Sequence, residues 1–88
     1  LEIDDHIWDK IESKHGVSFS EVEEACFSDR RHVRKSEEGL YKVFSRSYGG
    51  RYLLAVLVDL GDGCCKVVTA RDMTDMERRL YRKAMGEG

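Results

Sequence analysis

The sequence predicts a two-layer α+β domain, an antiparallel sheet covered by two N-terminal helices and one C-terminal helix. Three observations predict it. Apolar residues in the first quarter of the chain recur at helical spacing behind capping residues. The middle of the chain alternates in apolar runs broken by Gly49-Gly50 and Gly61-Asp62-Gly63, as a meander requires. A second capping pattern at Thr74 opens a last helix, and helices are the available cover for the apolar face of the sheet.

Element by element, Leu1-Glu2-Ile3 fits a short strand, and Asp4 or Asp5 then caps a helix. Ile7, Trp8, Ile11 and His15 follow at helical spacing, and Gly16 stands where a C-terminal cap belongs. Ser18-Phe19-Ser20-Glu21 has the capping-box pattern, in which serine accepts from the third amide and glutamate reaches back to the cap. Phe19, Val22, Ala25 and Cys26 form the stripe of that helix. The basic stretch 30–35 fits an edge strand or a loop. From Leu40 to Ser47, Leu40, Lys42, Phe44 and Arg46 fall on one side and Tyr41, Val43 and Ser45 on the other. Arg51 to Leu60 is a strongly apolar strand, and Cys64 to Ala70, with β-branched Val67, Val68 and Thr69, is the next. Thr74-Asp75-Met76-Glu77 is the other capping box, and its helix runs through Glu77, Leu80 and Tyr81.

The 88 residues suffice for one domain with a modest core, spanning 1–88. No run approaches the ~20 apolar residues of a membrane helix, and no signal peptide is visible. Cys26, Cys64 and Cys65 are odd in number and two are adjacent, a poor disulfide framework, so all three read as reduced thiols in a cytoplasmic protein. Neither a CxxC nor an HxxxH spacing occurs, so no metal and no other cofactor is expected. The net charge of −2 conceals a division: residues 1–29 hold nine acids and two bases, residues 30–88 eight acids and thirteen bases. That division fits either two solvated faces or a basic surface that meets phosphates or an acidic protein.

Several short segments resemble one family. Lys14-His15-Gly16-Val17-Ser18-Phe19 resembles the KHGVSF segment of BrnT-type toxins. Gly50-Arg51 ahead of a hydrophobic strand, Thr69-Ala70-Arg71 at a strand end, and Glu77-Arg78 with Tyr81 resemble that family's later motifs in order and spacing. The resemblance implies a RelE-like fold, ribonuclease activity and inhibition by a BrnA-like antitoxin. The chain departs from the family pattern where its Trp-Asp pair falls on Ile3-Asp4, where a first-helix asparagine falls on Ile11, and where an arginine falls on Leu40. These departures bear on cleavage more than on fold.

RNA cleavage without a metal needs a base for the ribose 2′-hydroxyl, cations for the charged phosphorus, and an acid for the leaving oxygen. His15 is the acid/base candidate, since imidazole titrates near neutrality. Arg71 is the candidate charge clamp, or else a partner of Glu77 or Asp72. Glu77 and Tyr81 complete the expected catalytic group, with Tyr81 alternatively a core residue. Lys14, Arg46, Arg51 and Arg78 are the candidate RNA contacts. Two functions follow: a metal-independent RNA-cleaving toxin held by an antitoxin, or a non-catalytic module of the same fold that binds protein or RNA. Oligomeric state has no signal in the sequence.

Overall fold

The computed structural model describes residues 3–36, 38–47 and 49–86. The order is α1 (Asp5–His15), α2 (Phe19–Phe27), β1 (His32–Lys35), β2 (Leu40–Arg46), β3 (Tyr52–Gly61), β4 (Cys64–Asp72) and α3 (Asp75–Ala84). Asp4 is the N-cap of α1, although its side chain makes no capping bond. Gly16 ends that helix at φ 62°, in the left-handed region where a side chain would be strained, and its N–H donates to Glu12 O. Both predicted capping boxes form, at Ser18/Glu21 and Thr74/Glu77. Leu1 and Glu2 lie outside the described residues, and Ile3 is in no strand.

The four strands form an antiparallel meander in the order β1-β2-β3-β4. The basic stretch is thus the edge strand β1, which pairs His32 with Phe44 and Arg34 with Lys42. The last strand runs two residues further than expected, so Arg71 and Asp72 are still in the ladder, opposite Leu54 and Leu53.

Period-two alternation sorts β3 between two cores. Leu53, Ala55 and Leu57 join Ile11, Val17, Val22 and Ala25 under α1 and α2. Leu54, with Phe44 and Met73, packs against Tyr81 of α3 on the other face. The α+β class, the meander and the three covering helices are as the sequence predicts. The third helix takes the opposite face from the first two, a further layer that the two-layer expectation did not include. The apolar run of β3 carries the reason: a strand covered on one side only would alternate with polar residues. Trp8 and Phe19 meet edge to face at 5.7 Å on the rim of the first core, with Trp8 only half-buried.

Candidate functional site

The eight candidate residues separate into two groups. Lys14, His15 and Arg51 lie at the end of α1. Arg46, Arg71, Glu77, Arg78 and Tyr81 lie on the face that α3 covers.

Arg51 follows the β2–β3 turn and extends under the start of α2. Its Nε donates to Asp72 Oδ1 at 2.6 Å and its Nη2 to Asp72 Oδ2 at 2.9 Å. Its Nη1 donates to Gly16 O at 2.9 Å and to the Glu21 carboxylate, and its Nη2 also donates to His15 O at 3.1 Å. A guanidinium has five N–H donors, and these partners take all of them. Both carboxyls are held below their ordinary values. The Ser18 amide bond leads the causes at Glu21, and Arg51 itself leads at Asp72. Arg51 therefore ties the C-terminus of α1 to the capping box of α2 and to the end of β4, with no N–H left for a phosphate. That differs from the expected RNA contact, and the reason lies in the tertiary fold: two helix-end carbonyls and two carboxylates, all distant in sequence, converge on it. Lys14 is exposed beside this junction, and the half-buried His15 contributes its carbonyl to it.

On the other face, Arg71 pairs two-pronged with Glu77 (2.7 and 3.0 Å) and donates to Asp72 O at 3.0 Å. Arg71 and the Thr74 cap together hold the Glu77 carboxyl down to about 2. Tyr81 is 1% exposed, and its hydroxyl donates to Arg30 O at 2.6 Å. Its ring meets that of Tyr52 edge to face at 5.9 Å. His15 thus belongs to the α1 side of the sheet, while Arg71 and Tyr81 belong to the α3 side.

The α3 face does bring two expected contacts together. The guanidinium carbons of Arg46 and Arg78 lie 5.5 and 5.2 Å from the centroid of the same Tyr52 ring. Beside them opens a cavity of about 360 Å³ lined by Phe27, Ser28, Asp29, Arg30, Arg46 and Ser47. Phe27 is 68% exposed at its edge, a large aromatic surface left in water. Sequence reasoning missed Tyr52, Phe27 and Arg30. The register Arg46↔Tyr52 across the hairpin was the signal that would have found Tyr52; nothing local marks Phe27, which directly follows the last residue of its helix's apolar stripe, Cys26. Among the described residues, no group of three or more His, Cys, Asp or Glu is placed to hold a metal ion.

No protein-family model matches the sequence, and no curated protein sequence does. The structure is similar to the crystal structure of the Brucella abortus ribonuclease toxin BrnT, with a TM-score of 0.70 at 14% identity, over 85% of this chain and 96% of that one. The fold is the BrnT fold. At so low an identity the likeness to BrnT is one of backbone architecture, here three helices and a four-stranded antiparallel sheet. No described helix is long and apolar enough to cross a membrane.

Proposed function

We propose that this protein is an RNA-directed toxin of BrnT type, a metal-independent ribonuclease neutralised in the cytoplasm by a BrnA-like antitoxin protein. The observation that carries the proposal is the convergence of Arg46 and Arg78 on Tyr52, next to a cavity edged by the exposed Phe27. Guanidinium groups fit phosphate oxygens in pairs, and an exposed aromatic ring is a platform on which an unpaired base stacks. The fold shared with a ribonuclease toxin supports the same conclusion. In the cleavage step, Arg46 and Arg78 hold the scissile phosphate, and the Arg71–Glu77 pair lies next along the same face. His15 and Tyr81 enter this scheme less readily than the sequence implied, because one is on the α1 side and the other donates its hydroxyl proton to a carbonyl.

That same separation favours a second reading, a module that binds RNA or protein and cuts nothing. Induced expression without a partner decides between them. Growth arrest with RNA decay, both abolished by the paired changes Arg46→Gln and Arg78→Gln, supports the nuclease. Tight RNA binding with intact RNA and normal growth selects the non-catalytic module.

A further inference from the structure

A second basic site lies along the same sheet face, and no motif in the sequence points to it. Arg34 and Lys42 are direct cross-strand partners in β1 and β2. Like charges opposed in this way destabilise a sheet, and neither makes an ion pair with any described residue. They line a groove of about 340 Å³ between the sheet and α3, with Lys35 and Phe44 on the sheet side and Glu77 and Leu80 on the helix side. The Glu77 carboxylate does not neutralise them. Its Oε1 accepts from Arg71 and from the Thr74 amide, and its Oε2 accepts from Arg71. Ser36, also at the groove, accepts from the Leu40 amide, which leaves its O–H free to donate. Arg34, Lys42 and the Ser36 O–H therefore present donors to the groove, while three of the four acceptor sites of Glu77 are already taken.

We infer that Arg34, Lys42 and Ser36 bind a backbone phosphate of single-stranded RNA, a site separate from Arg46 and Arg78. This rests on the RNA-directed function proposed above. A phosphate presents acceptors only, and the arginine fork with a lysine point charge matches it. Repetition on one face points to a polymer. Lys42 and Arg46 are four residues apart on one strand, about 13 Å at the usual rise per residue, so one extended strand of RNA crosses both sites.

The test is fluorescence anisotropy with a labelled 2′-O-methyl oligoribonucleotide, which lacks the attacking hydroxyl and stays intact. Wild type, Arg34→Gln/Lys42→Gln and Arg46→Gln/Arg78→Gln are compared across a range of salt. The groove variant is expected to bind at least ~10-fold more weakly at low salt, with a log–log salt slope reduced by ~0.7, the amount for one phosphate that is no longer neutralised. Its thermal midpoint is expected to hold or rise, because the opposed charges are gone. Wild-type affinity and slope in the groove variant, with weakened binding in the Arg46/Arg78 variant, overturns the groove and leaves the RNA function standing. No binding by wild type at any salt overturns both. Should the double variant melt early, Lys42→Gln is set against Lys42→Arg. Affinity kept by arginine and lost with glutamine supports the site, and equal loss in the two overturns it.

Discussion

Replacing Arg51 by alanine tests whether that side chain is a staple or an RNA contact. The change removes donors from two helix-end carbonyls and two carboxylates at once. A hydrogen bond to a charged group contributes ~1.5–3 kcal/mol when shielded. Here the Arg51, Glu21 and Asp72 side chains are 30%, 26% and 58% exposed, so water replaces much of what is removed. The expected cost is about 2–3 kcal/mol for the whole set, well below the sum of its bonds. For a domain of this size that lowers the thermal midpoint by roughly 10–20 °C. Arg51→Lys keeps the charge and loses the fork, so it should recover less than half. Circular dichroism melts and urea titrations measure both. A fully stable Arg51→Ala protein that has lost RNA affinity would refute the staple and restore the phosphate contact expected from sequence.

Acid should destabilise the fold in part through Glu77. The Glu77 carboxyl, ordinarily near 4.5, is held down to about 2 by Arg71 and the Thr74 cap, so the unfolded chain binds its proton first and stability falls as pH drops from about 4.5 toward 2. Glu77→Gln should flatten that part of the stability-versus-pH curve; an unchanged slope contradicts it. Burial pushes the Cys26 thiol up to about 11, whereas Cys64 is exposed. Iodoacetamide at neutral pH should therefore label Cys64 well before Cys26, as peptide mass spectrometry can follow, and equal rates would place Cys26 in the open. Trp8→Ala should cost about 1–2 kcal/mol, less than the ~3–5 of a core aromatic, since the ring is half-exposed against Phe19. A cost above about 3 kcal/mol would mean the ring is buried. Reducing agent with a chelator should leave the thermal midpoint unchanged, and a fall of several degrees would reveal a disulfide or a metal.

Local chemistry determined much of this protein. Ser18 with Glu21 and Thr74 with Glu77 are contacts between residues three apart, and Gly16 answers to its own φ, so the helix ends are legible without any partner. The glycine turns, the alternation of β2 and the unbroken apolar run of β3 fix the meander for the same reason, because strand pairing follows from short loops and local pattern. Which face of the sheet each helix covers is a long-range matter, and only the tertiary structure decided it. Arg51 shows the consequence most plainly. In sequence it is a hairpin arginine, exposed by expectation; in the fold, residues 35 and 21 positions away close on it from both sides. Arg71 and Asp72, neighbours in sequence, end on opposite faces because a strand turns successive side chains away from each other. Arg46 and Arg78 meet on Tyr52 only because α3 folds back across the sheet, a placement set by the burial of Tyr81 and by no spacing along the chain.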